Sequence, residues 1–254
     1  MDAIVVTTIV FIICCVAAAL GMSLRRFLAD GQLDGGSKDS VRLAMTIVAT
    51  TAALVMSLLL YTSNSSYNDR RNEIEAIAAD VTLLDTVLAQ YGADAEDIRA
   101  MLRDVVAATV SHIWPSRDDQ QSTLGPAAVE SGGRDIYAKL LALSPANDSQ
   151  AILKNEALQL LLSIGRSRQL LVAQTKGHSI SIYLLLVVGA WLAILYASFG
   201  LFAPRNRVVI GGTALSALSV SGAIFLIVEL ANPFSGVIRL SSAPIADVLA
   251  RLGQ

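Results

Sequence analysis

The sequence is short of charge, and the charge is missing where apolar residues are dense. Only 16% of its 254 residues are Asp, Glu, Lys or Arg, whereas 54% are hydrophobic, and the net charge is −2. A soluble domain carries about 25% charged residues. Because the chain has no excess of positive charge to attract a phosphate backbone, we expect no nucleic-acid partner.

Cysteine and histidine are also scarce, which removes several classes of site. The two cysteines, Cys14 and Cys15, are adjacent within an apolar run, so they give no disulfide framework and no zinc site. We interpret them as small apolar residues, with palmitoylation as the alternative. His112 and His178 lack metal-ligand spacing, and no phosphate-binding loop, dinucleotide fingerprint, nucleophile elbow or zinc-protease motif occurs. We expect no metal, no cofactor and no enzymatic activity.

Four apolar runs are each long enough to cross the about 30 Å hydrocarbon core of a bilayer as a helix. They cover residues 3–22, 43–62, 180–203 and 208–230. The first lacks the basic start of a signal peptide and is interpreted as a retained helix. No charged residue lies in the middle of any run, which argues against proton pumps, ion-coupled transporters and voltage sensors. A pore lined by Ser, Thr and apolar side chains is still a candidate function.

Between the second and third runs, the pattern predicts long amphipathic helices. No Gly or Pro occurs from Lys38 until Gly92, and apolar residues recur at steps of three and four: Ile74, Ile77, Val81, Leu84, Leu88 and Tyr91. One helix of about 50 residues explains this best, with a break at the serines near position 65 as the alternative. A helix of similar character begins near Asp148. Two shorter helices are predicted between them, one capped by Asp94, separated by a polar loop over 116–133.

The predicted fold is all-α: a four-transmembrane-helix protein with a helical extramembrane domain between the second and third spans. Its expected parts are 1–62 with the first two spans, 63–179 as the extramembrane stalk, 180–231 with the last two spans, and 232–254 as a C-terminal segment. That last segment holds a short amphipathic helix with Ser242 as its candidate cap. The helix would lie on the membrane surface or against the stalk. Small residues recur at four-residue steps in the spans and favour close helix packing within one bundle, with contacts between subunits as the alternative: Ala49, Ala53, Ser57, Gly189, Ala193, Ala197, Thr213, Ala217 and Ser221.

Charge near the spans gives a slight indication of orientation. Four spans place both termini and the middle domain on one side of the membrane. The two short connectors lie on the other side and are basic: Arg25, Arg26, Lys38, Arg42, Arg205 and Arg207. The positive-inside rule therefore favours cytoplasmic connectors. Basic residues also flank the spans on the opposite side: Arg70, Arg71, Lys176 and Arg239.

The segment after the fourth run is the candidate site, and we predict a structural role for it at the membrane boundary. It holds a carboxylate, two prolines, a glycine and one arginine among the candidate residues Glu229, Asn232, Pro233, Phe234, Gly236, Arg239, Ser242 and Pro244. Glu229 is expected to be solvated at the headgroup level or paired with Arg239 or another basic residue. An ion or ligand site is the alternative.

Two segments carry a resemblance to a known family. The stretch from Tyr67 to Glu75, followed by Leu83-Leu84-Asp85 and Tyr91-Gly92, is similar to the segment after the second span in the DUF4239 family of bacterial membrane proteins, described as bestrophin-like. The closing stretch from Glu229 to Pro244 looks like that family's C-terminal signature, although an acid often stands where this chain has Ala231. With the four-span layout, the resemblance covers essentially the whole chain.

The resemblance implies a protein of the bacterial inner membrane, with four spans and a helical domain between the second and third. By analogy with bestrophins it also implies a homo-oligomer, a pentamer in that analogy, that conducts ions. Bestrophin topology would place the middle domain in the cytoplasm, opposite to the charge-based orientation. Two functions stay open: an oligomeric ion channel or pore, and a non-conducting scaffold or sensor whose extramembrane domain binds a partner.

Overall fold

The computed structural model describes residues 3–24, 35–114, 126–177, 182–204, 206–232 and 236–252. Within these ranges every regular element is a helix and no strand occurs. The helices are α1 (Ala3–Leu24), α2 (Gly35–Tyr91), α3 (Glu96–Ile113), α4 (Pro126–Ala142), α5 (Asp148–Gly177), α6 (Ile182–Phe202), α7 (Arg207–Ala231) and α8 (Ala243–Arg251). The chain is an all-α membrane protein, as predicted. By length and composition, four described helices can cross a bilayer: α1, α2, α6 and α7.

α2 is one helix of 57 residues, without a break at the serines. It begins at Gly35, before the second apolar run that starts at position 43, because the sequence after Gly36 contains no helix-breaking residue. It ends where predicted, since Gly92 has a φ of +109°, a conformation that glycine adopts without steric cost. Within 35–67 it belongs to one compact unit of the chain and from Asn68 onward to another.

The first unit, called here the spanning unit, comprises Met1–Tyr67 and His178–Ile238. In it α1 packs on α6 and α7. Its core is an apolar cluster from these three helices: Val6, Cys14, Ala17, Ala18, Val188, Leu192, Tyr196, Ala217, Ile224 and Val228. The start of α7 is fixed by Asn206, whose side-chain oxygen accepts a hydrogen bond from the backbone N–H of Val209 at 2.8 Å.

The second unit comprises Asn68–Gly177 and Arg239–Gln254. The predicted stripe of α2 forms part of its core, since Ile74, Leu84, Leu88 and Tyr91 are buried. In this unit α3 packs on α4 and α8, and α4 packs on α5. The amphipathic C-terminal helix therefore lies against another helix, with Ile245 buried, which decides between the two predicted positions.

Three local predictions are wrong. The polar loop predicted over 116–133 is helical from Pro126 onward, because proline suits a first helical position and Gly132 lets α4 approach the side chain of Val105 on α3. Asp94 is not a side-chain cap, since α3 starts from Ala95 after a 3₁₀ turn. Ser242 occupies the N-cap position of α8 without a capping bond, because its backbone is helical rather than extended.

An ion pair and an amide side chain bind neighbouring helices together inside the second unit. The guanidinium of Arg99 on α3 donates two hydrogen bonds to the carboxylate of Asp85 on α2, at 2.8 and 3.0 Å, and these bonds raise the pKa of Arg99. Gln150 of α5 donates from its side-chain nitrogen to the backbone oxygen of Tyr91 at 2.9 Å. The sequence did not indicate either contact. Asp85, Arg99 and Gln150 are ordinary surface residue types, and each contact joins two separate elements.

Candidate functional site

The predicted boundary site is built around Glu229, a buried residue in the last turn of α7 with 2% of its surface exposed. One carboxylate oxygen, Oε1, accepts hydrogen bonds from the backbone N–H groups of Val237 and Ile238, the second at 2.8 Å. The expectation of a solvated carboxylate is therefore wrong. Burial of this charge is tolerated because backbone donors replace the water that it loses.

Gly236 makes this arrangement possible. Its φ is +121°, and a Cβ at this position would lie 2.8 Å from the carboxylate carbon of Glu229. Any larger residue would therefore be strained in its backbone and would also overlap the carboxylate. At the helix end, Asn232 donates its backbone N–H to the backbone oxygen of Glu229 and its side-chain nitrogen to that of Val228. These contacts fold 236–238 back onto the end of α7.

The structure brings together some of the predicted site residues. Glu229, Asn232 and Gly236 lie in the spanning unit, whereas Pro233 and Phe234 lie outside the described residues. Arg239, Ser242 and Pro244 belong to the second unit with α8, and pairing of Glu229 with Arg239 stays a prediction.

Within that second unit, the indole N–H of Trp114 donates to the backbone oxygen of Leu240 at 2.8 Å. The sequence missed this contact and the amides that bind Glu229. Neither contact can be predicted from residue types, because one partner in each contact is a backbone group.

A second candidate surface is the part of α2 that lies in the spanning unit. In the most apolar 18-residue window of α2 only 6% of residues are buried within the chain, against 33% for α7. The exposed residues cover a broad arc of the helix, which also includes Ala44, Thr51 and Thr62, and two strips within this arc differ in their chemistry. One carries large apolar side chains: Leu43, Ile47, Leu54, Leu58 and Tyr61. The other, called here the hydroxyl face, consists of Thr46, Thr50, Ala53, Ser57 and Asn64, which recur at helical steps.

The hydroxyl face is polar but uncharged. Thr46 and Thr50 donate their hydroxyl hydrogens to the backbone oxygens four residues earlier, at 2.9 and 2.8 Å, so their oxygens keep free lone pairs. Such oxygens can replace part of the hydration of a passing ion without holding it as a fixed charge would. Of the predicted small-residue steps, Ala53 and Ser57 are thus exposed in the single chain, whereas Ala217 and Ser221 are buried in it.

No group of three or more His, Cys, Asp or Glu side chains that could hold a metal ion occurs among the residues that the structure describes. His112 lies in α3, and His178 lies outside the described ranges.

Comparison with known proteins decides the family. The bestrophin-like domain matches residues 12–245, which is nearly the whole chain. The chain belongs to the bestrophin-like family. The bestrophin-like fold is also found in a crystal structure of a bacterial bestrophin homologue from Klebsiella pneumoniae, with a TM-score of 0.69 at 11% sequence identity, covering 98% of this chain and 99% of that one. At this identity the likeness concerns the fold. No curated relative matches the sequence.

Proposed function

We propose that this bestrophin-like protein is a homo-oligomeric ion channel of the bacterial inner membrane, in which the hydroxyl face of α2 lines the ion path. The observation that carries the proposal is the exposure of Thr46, Thr50 and Ser57 on a helix that crosses the bilayer. Lipid tails offer no partner to hydroxyl oxygens, whereas water and ions do. Membership of the family supports the same function.

Oligomerisation follows from the same surface. One copy presents one hydroxyl face, and one helix encloses no path, so several copies must arrange these faces around an axis. The exposed apolar face of α2, with Leu54 and Leu58, then meets lipid or a neighbouring copy. Closed rotational symmetry is the usual solution for identical subunits. By analogy with bestrophins we propose five copies.

The test combines conduction with chemical access. Purified protein is recorded in planar bilayers under varied ions, pH and calcium, and the absence of any conductance would contradict the proposal and favour a non-conducting scaffold. In a background with Cys14→Ala and Cys15→Ala, a charged thiol reagent is then applied to Ser57→Cys. We expect it to change the current of this variant.

Leu54→Cys is the matched control, because it lies on the same helix at similar depth but on the apolar face. We expect no change in its current. An equal response of Ser57→Cys and Leu54→Cys would show that the hydroxyl face does not line the ion path, although conduction itself would still be established.

A further inference from the structure

A cleft of about 330 Å³ lies in the spanning unit, where α1 ends, α2 begins and α6 ends. It is separate from the carboxylate of Glu229 and from the hydroxyl face. Its walls are predominantly apolar and come from three helices, with Leu20 and Leu24 of α1, Val41 and Met45 of α2, and Leu201 and Phe202 of α6 among them.

Glycines shape this cleft by bringing α1 and α6 into backbone contact beside it. A Cβ at Gly21 would overlap the backbone oxygen of Ala197, and one at Gly200 would overlap that of Ala18. The larger side chains next to the crossing, Leu20 and Leu24, consequently extend outward and are 62% and 53% exposed. They leave an open apolar cleft instead of closing it.

The membrane position of the cleft limits what can fill it. A void among apolar side chains forfeits dispersion contacts, and at the end of a membrane span the molecule at hand is a lipid chain. The volume falls within the range of small-molecule sites, which begins at about 300 Å³. An acyl chain is unbranched and flexible, so it suits an open apolar cleft.

Charge beside the cleft selects among lipids. Arg42 directly follows the wall residue Val41, and its side chain is exposed. Among the described residues no carboxylate forms an ion pair with it. A guanidinium next to an apolar cleft at the end of a membrane span complements a phosphate whose chain enters that cleft. Ser23 and Ser198 add hydroxyl groups to the walls.

We propose that this cleft binds an anionic phospholipid, with one acyl chain between α1, α2 and α6 and the headgroup phosphate at Arg42. Arg42 lies one helical turn before Thr46 of the hydroxyl face, but lipid binding is measured without conduction, so this site and the channel function are tested separately. The site would hold the start of α2 to the ends of α1 and α6 from the lipid side.

Native mass spectrometry of the full chain in detergent tests the proposal, with phosphatidylglycerol and phosphatidylcholine of identical chains added separately. We expect tighter binding of phosphatidylglycerol, weakened roughly fivefold in Arg42→Gln, the effect of one basic residue near a membrane surface. Arg207→Gln, an exposed arginine at the start of α7, is the matched charge control and should change little. Val41→Trp should weaken both lipids by filling the cleft, whereas Leu54→Trp should not. Thermal melting of each variant confirms folding.

Three results would overturn the site. Equal binding of both lipids in the wild type removes the preference for a headgroup of net negative charge. Equal losses of phosphatidylglycerol binding in Arg42→Gln and Arg207→Gln would show that the lipid is attracted by positive charge in general and not by Arg42. A changed oligomer mass in Val41→Trp without changed lipid binding shows that a second copy covers the cleft.

Discussion

At the residue scale, Glu229 and Gly236 act as one unit. The carboxylate is buried and needs donors, and the backbone amides of Val237 and Ile238 reach it because Gly236 has a positive φ and no Cβ. Both residues were predicted as site residues from their position at the end of a span. Their role was not predictable, because a bond from a side chain to a backbone amide leaves no pattern in the sequence.

Replacement of Gly236 by alanine should destabilise the protein by about 1–3 kcal/mol, since the new Cβ meets the Glu229 carboxylate and the backbone is strained. Gly222→Ala on α7 is the matched control, because a Cβ there meets nothing within 4 Å. That change should be neutral or slightly stabilising, since alanine favours helix. Thermal unfolding in detergent measures both, and equal melting temperatures would contradict the argument.

Glu229→Ala should cost more than Glu229→Gln. Alanine removes the acceptor for two backbone N–H groups, a loss of about 1–3 kcal/mol. Glutamine keeps a carbonyl oxygen with two lone pairs that can accept from both groups and loses only the negative charge, so it should retain part of the stability. Thermal unfolding ranks the stability of the wild type, Glu229→Gln and Glu229→Ala. Hydrogen exchange at Val237 and Ile238 should rise most in the alanine variant. Unchanged exchange would show that the carboxylate does not hold this segment.

At the element scale, the sequence predicted where helices run better than how they pair. The spacing of apolar residues in α2 correctly predicted which side of its second half is buried, including Leu84 and Leu88. The apolar residues Ile152 of α5 and Leu141 of α4 are 66% and 50% exposed. Periodicity reports that a helix has an apolar face, whereas the partner of that face depends on the whole chain and on copies beyond it.

The crossing of α1 and α6 depends on Gly21 and Gly200. Neither glycine was among the small residues that were predicted to favour close packing. Gly200→Ala should lower the melting temperature strongly, because its Cβ would overlap the backbone of α1, and overpacking costs about 1–3 kcal/mol. Gly189→Ala, on the same helix with open space around it, should leave stability unchanged or raise it. A larger loss in Gly189→Ala would contradict the crossing.

The pair of Asp85 and Arg99 ties α2 to α3 and should matter more than an exposed pair. Its side chains are only 13% and 19% exposed, so Arg99→Ala leaves a partly buried carboxylate without its donors and should cost about 1–3 kcal/mol. Arg71→Ala breaks a largely exposed pair with Glu75 on one helix and should cost at most about 0.5 kcal/mol. Chemical denaturation compares them, and equal losses would contradict the difference in burial.

At the scale of the whole molecule, the four spans were predictable because lipid admits long charge-free helices and little else. The family was suggested by the stretch from Glu229 to Pro244 and is shown by the match over 12–245. What covers α2 was not predictable, since Thr46 and Ser57 are compatible with lipid, with a neighbouring helix or with a pore. That question belongs to the assembly rather than to the single chain.

A ring of copies around the hydroxyl face predicts cross-links between equivalent positions. In the background without native cysteines, Ser57→Cys should form disulfides between neighbouring chains under mild oxidation, because the same residue of each copy would face the axis. Each chain then carries one thiol, so the product is a dimer, whereas a bifunctional amine reagent under partial reaction should give a ladder ending at five chains. Leu54→Cys should give fewer disulfides, since it lies on the adjoining apolar face. More disulfide in Leu54→Cys than in Ser57→Cys would place the apolar face at the axis, and a ladder ending at another number would replace the pentamer.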